Sequence, residues 1–156
     1  MKLIKIAFCL MFLLGAAPMA YASHYDLLDI DIVSSDLADK LTADKIVNTE
    51  DLFSILMTKA GREGFAKKYA MPVAEVEKLG RKLELMQIVG VGPKAAALLQ
   101  LAGITSLKAL TESKAEDLLE VLLRVNREYS ITGVQPDLTV VRDWIEKSKK
   151  IANHME

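Results

Sequence analysis

The sequence predicts an all-α protein, a compact bundle of short helices in two similar halves. Apolar residues recur at helical spacing, as at Val76, Leu79, Leu83 and Met86. Capping residues stand where these stretches begin, and no run shows convincing strand alternation. A two-glycine hairpin, Ile88-Val89-Gly90-Val91-Gly92-Pro93, separates two of the helices.

Residues 1–22 read as a signal peptide. Lys2 and Lys5 precede the apolar run from Ile6 to Gly15, and Ala20-Tyr21-Ala22 is a small-x-small site, which places the cut after Ala22. The run is too short for a comfortable membrane span. The mature protein is therefore expected in the periplasm or outside the cell, with no membrane span. Cys9, the single cysteine, leaves with the signal, so no disulfide, thiol nucleophile or cysteine metal ligand remains. The remaining 134 of the 156 residues suffice for one ordinary domain. Loss of Lys2 and Lys5 takes the net charge from −1 to −3, a poor balance for gripping a polyanion.

The mature chain then reads helix by helix. Ser34 or Ser35 caps a first helix, with Asp36 near its positive end. Asn48 or Thr49 caps Glu50–Lys59, and Ala60-Gly61 breaks it. Glu63–Tyr69 follows and stops before Met71-Pro72. Val73–Met86 is longer. Pro93 suits the first turn of Lys94–Ala102, and Gly103 ends that helix. Ser106 caps a short turn. Ser113-Lys114-Ala115-Glu116 forms a capping box for a helix through Leu118, Leu122 and Val125. Thr132–Pro136 is a loop. The last helix runs from Asp137 to about Ala152, with Trp144 in the core beside Val141 and Ile145.

An internal repeat organises these pieces. A shift of 58 positions lays Leu27–Leu52 over Leu85–Leu110 without a gap, matching Leu27 to Leu85, Ala38 to Ala96 and Leu41 to Leu99. The halves are residues 23–84 and 85–156. At the hairpin they diverge. Ile32, Ser34, Ser35 and Asp36 stand where the second half has Gly90, Gly92, Pro93 and Lys94. The first hairpin is thus glycine-free and acidic.

The pattern apolar-x-Gly-x-Gly-x-x-Ala, closed by Gly103-Ile104-Thr105, resembles the helix-hairpin-helix superfamily. The whole mature chain is similar to the bacterial family called domain of unknown function 4332. Members of that family resemble tandem helix-hairpin-helix units, each finished by a helix carrying a pair such as Trp144-Ile145. By this resemblance the fold is two tandem helix-hairpin-helix-like repeats, the first degenerate. Nucleic-acid-binding members of the superfamily hold a phosphate on hairpin N–H groups. Carried over, that implies Gly90, Val91 and Gly92 as backbone donors and Lys94 as the cation, with a hydroxyl from Thr105 or Ser106.

The residues offer no catalytic constellation. There is no nucleophile-His-Asp pattern, no His-Glu-x-x-His and no phosphate loop ending in Gly-Lys-Ser/Thr. Asp29-Ile30-Asp31 lacks the ligands and closing glutamate of a calcium loop, and His24 and His154 stand apart, so no metal or cofactor is expected. Arg62, Lys67, Lys68, Lys78, Arg81 and Lys82 read as solvated helix faces, and their convergence with Lys94 on one side would favour nucleic-acid binding. The expected function is non-enzymatic: a binding module for a protein partner or for self-assembly. The alternative is an envelope DNA-binding protein touching the phosphate backbone through residues 88–94. A third reading is a small-molecule or peptide carrier with a groove between the halves.

Overall fold

The computed structural model describes residues 24–151 and Met155. The signal peptide and cleavage site expected from the sequence, residues 1–22, lie outside them. Helices begin where a side chain can satisfy the first free N–H groups. Ser34 caps α1 (Ser35–Ala43), accepting from Leu37 N–H at 3.3 Å. Asn48 caps α2 (Thr49–Leu56), accepting from Glu50 and Asp51 at 2.9 Å each. Thr58 caps α3 (Lys59–Tyr69) through Gly61 N–H at 3.1 Å. Pro72 opens α4 (Val73–Leu85), and Gly92 precedes α5 (Pro93–Leu101); neither start has a side-chain cap. Ser106 caps α6 (Leu107–Thr111) and Asp137 caps α8 (Leu138–Ser148). Between them lies α7 (Ala115–Tyr129). Among the described residues the only extended pairing is an isolated antiparallel bridge between Asp26 and Asn48.

Two local readings of the sequence are corrected. The break between the second and third helices falls at Met57-Thr58, not at Ala60-Gly61. Thr58 provides a cap, and Gly61 is a glycine for another reason: a Cβ there would lie 1.9 Å from the Ile55 carbonyl oxygen. The capping box at Ser113 does not form. Its hydroxyl instead donates back to Ala109 O at 2.8 Å, and Glu116 turns to Arg142 on α8.

One apolar core runs through the described chain. Helix α4 packs against α2, α3 and α5, burying Val76, Leu79 and Leu83. Helices α7 and α8 pack together, α6 packs on α8, and α5 reaches α7. The 58-residue offset recurs in the backbone. α1 and α5 start that far apart, as do α2 and α6. Lys45 and Gly103 hold positive φ at equivalent turns, 65° and 90°. The register then drifts: both α3 and α7 end in tyrosine followed by a left-handed residue, Ala70 and Ser130, but these ends are 60 positions apart. Beyond this the offset grows, because the connection from α7 to α8 is longer than that from α3 to α4.

Polar residues inside this core secure the joints. Arg62, expected on a solvated face, is buried. Its guanidinium donates to the carbonyls of Leu56 at 3.0 Å and Met57 at 3.2 Å, satisfying the C-terminal end of α2. Glu84 is 1% exposed and accepts from Met155 N–H at 3.2 Å, with Arg81 at 3.5 Å. Asn126 pins the α7–α8 loop by exchanging two hydrogen bonds with the Thr132 backbone, both 2.9 Å.

Gly61→Ala and Gly64→Ala should therefore have opposite effects in urea denaturation. The first should lose about 3 kcal/mol through collision with a carbonyl. The second meets nothing within 4 Å and should gain about 0.5–1 kcal/mol from helix propensity.

Candidate functional site

The hairpin joins α4 to α5 in one tight turn. Val91 N–H donates to Ile88 O at 2.9 Å, and Ile88 and Val91 are both buried. Gly90 holds φ +95°, a conformation that disfavours any side chain, and stays exposed. Its Cα lies under Trp144, whose Nε1 would stand 3.5 Å from a Cβ. Trp144 is 5% exposed. Lys147 closes the turn from α8, donating to Val89 O at 3.2 Å and to Asp143 Oδ2 at 2.6 Å.

Gly92 is small because Tyr25 covers it. A Cβ at Gly92 would lie 2.9 Å from the Tyr25 hydroxyl. The N-terminal arm carrying Tyr25 is tied to the start of α2 by three hydrogen bonds. Leu27 N–H donates to Val47 O, Thr49 N–H donates to Tyr25 O, and Tyr25 N–H donates to Thr49 Oγ1. The arm thereby brings the first half's turn against the second half's hairpin.

An open cleft of about 520 Å³ lies at this meeting point. Gly92, Pro93, Lys94 and Ala95 form one wall, and Tyr25, Asp29, Ile30 and Asp31 face them. Lys82 of α4 and the Ile131-Thr132 loop complete it. Of the four residues singled out in the sequence, Gly92 and Lys94 line this cleft. Gly90 lines a smaller groove of about 250 Å³ on the Trp144 side, and Val91 is core. Val91 therefore supplies packing, and its N–H is already bonded within the turn. The N–H groups of Lys94 and Ala95, in the first turn of α5, donate to no side-chain cap.

Tyr25, Asp29, Asp31 and Lys82 were not singled out as site residues in the sequence. The glycine at 92 was the one trace of Tyr25 there, because it marks a close approach without naming the approaching group. Thr105 and Ser106 lie away from the cleft, in a separate groove with Lys78 and Arg81, and the Ser106 hydroxyl is occupied as the α6 cap.

The charges around the cleft are mixed. Lys78, Lys82 and Lys94 make no ion pair through their ammonium groups among the described residues, whereas Lys68 pairs with Asp44 and Arg142 with Glu116. Lys82 is half-buried. Desolvation pushes its ammonium below the ordinary 10.5, Lys78 adds to the shift, and Asp31 opposes it. Among the described residues no group of three His, Cys, Asp or Glu side chains is placed to hold a metal ion, and no helix is long and apolar enough to cross a membrane.

Because the Lys82 pKa is lowered on folding, the unfolded chain binds more protons between the folded value and 10.5. Stability should rise with pH through that window as the desolvated ammonium neutralises. Denaturation of wild type and Lys82→Met in parallel should show this rise as the difference between them, since Tyr69, Tyr129 and Lys68 contribute equally to both, with the variant more stable at neutral pH.

Residues 32–151 match a family whose description is "Domain of unknown function (DUF4332)". No curated protein and no solved structure matches the chain.

Proposed function

Since this chain belongs to the DUF4332 family, whose description names no activity, we propose a function from the hairpin face itself. The protein is an exported, non-enzymatic binding module that engages a protein partner or a second copy of itself there. One observation carries the reading: Asp29 and Asp31 line the same cleft as Gly92 and Lys94. A regular phosphate chain seated on the hairpin would meet both carboxylates. Non-specific duplex affinity comes from many cations releasing counterions, and here the cations are few and interleaved with acids. A polypeptide places charge at chosen positions and donates as well as accepts, so a mixed cleft suits it.

The DNA reading through Gly90, Val91, Gly92 and Lys94 has one feature in its favour, the uncapped first turn of α5. The two readings separate in one experiment. A photocrosslinking amino acid replaces Asp29 in the cleft and, as a control, the exposed Lys59 on α3. Irradiated cells should yield protease-sensitive, nuclease-resistant adducts from position 29 alone. Purified protein should leave duplex DNA unshifted in a low-salt gel. Nuclease-sensitive adducts, or a duplex shift abolished by Gly92→Asp with Lys94→Glu, would establish the DNA reading instead. Absence of any adduct at position 29 would overturn both.

A further inference from the structure

Burying an ammonium without a partner is unfavourable, and proteins ordinarily pair such groups. Lys82 breaks that pattern. It is half-buried at the junction of two openings, the 520 Å³ cleft and a second groove of about 390 Å³ lined in part by Ile32, Leu37 and Leu79. Lys94 lines the first opening and Lys78 the second. None of the three ammonium groups has an ion-pair partner among the described residues. Lys78, one helical turn away, disfavours the charge of Lys82. Three lysines without an ion pair among the described residues thus line two openings that share Lys82, each opening also lined by aliphatic side chains, and Asp31 attracts the Lys82 ammonium without pairing with it.

We propose that an acidic polypeptide segment occupies these two openings, its carboxylates at Lys94, Lys82 and Lys78 and its aliphatic side chains on the aliphatic linings. The proposal rests on the reading above and names the chemistry of the partner. Two features favour a peptide over a single-stranded nucleic acid. The linings are aliphatic, with Ile30 and Ile131 in one opening and Ile32 and Leu79 in the other, whereas unpaired bases stack on aromatic or guanidinium faces. Asp29, Asp31 and Glu75 line the same openings as the lysines, so negative charge is tolerated there only at particular places. An extended chain alternating acidic and apolar residues meets both demands, since neighbouring side chains point to opposite sides and can be matched separately to the lysines and the aliphatic linings.

Fluorescence anisotropy tests this on the full mature chain. The probe is a labelled library of short peptides alternating glutamate with random aliphatic residues. Comparison probes carry glutamine in place of glutamate, or are labelled oligothymidylate. The glutamate library should bind, and the glutamine library should bind at least roughly tenfold more weakly, as expected for loss of charge-assisted contacts. Lys82→Gln and Lys78→Gln should each weaken glutamate-library binding by roughly fivefold to tenfold, with unchanged circular dichroism. Lys149→Gln, just beyond the C-terminal end of α8 and outside both openings, should leave it unchanged. Equal binding of the two peptide libraries overturns the proposal, as does indifference to Lys82→Gln and Lys78→Gln together. Tighter binding of oligothymidylate replaces the peptide with nucleic acid. Protein adducts at position 29 without glutamate-library binding would discard the acidic chemistry alone, whereas loss of both results would discard the binding face.

Discussion

The structure depends on one helix doing two things at once. Helix α4 buries Val76, Leu79 and Leu83 and packs against α2, α3 and α5, so it is the seam through which these helices share a core. Burial of side chains of this size stabilises by about 1.5–3 kcal/mol each, a large share of the stability of a domain this small. The same helix turns Lys78 and Lys82 toward the openings. The cations are held in place by the packing that holds the halves together, and they cannot be repositioned without disturbing the seam.

Glycine marks the places where this chain brings backbone close to another group. Gly61 admits the Ile55 carbonyl, Gly80 admits the Met155 thioether, and Gly92 admits the Tyr25 hydroxyl. Gly90 differs from these, since its positive φ sets the turn itself. Where the first half lacks glycines, the chain solves its turn otherwise. Ser34 supplies a side-chain cap, and Ile32 N–H bonds back to Ile30 O at 3.1 Å. The two turns thus serve different ends. One is closed by its own hydroxyl, and the other leaves its helix start open beside a cleft.

Much of the helical plan was legible in the residues. The spacing of Val76, Leu79 and Leu83, the caps at Ser34, Asn48 and Ser106, and the stop at Gly103 all report local physics, and each stands where the sequence placed it. Local reasoning failed where tertiary contacts reassigned a residue. Gly61 looked like a breaker, yet it is a helix position under a crossing carbonyl. Arg62 reads as solvated, yet it is buried and caps the C-terminal end of α2. The last helix was drawn to about Ala152 but ends at Ser148, where the serine hydroxyl bonds back to Ile145 O. The site was half legible. The hairpin announces itself by Gly90 and Gly92, but the wall that faces it comes from residues more than fifty positions upstream, and no spacing rule connects Tyr25 or Asp31 to Lys94.

That distant wall has a thermodynamic consequence. Tyr25, Asp29 and Asp31 reach the cleft only while the arm remains hydrogen-bonded beside Val47 and Thr49. The competence of the cleft is therefore coupled to the closing of this arm. Whatever settles against Lys82 and Lys94 must also tighten the arm, by the same factor through which a tightened arm improves the fit. Slowed exchange of the Leu27 and Thr49 amide hydrogens would then report occupancy from a position the occupant never touches.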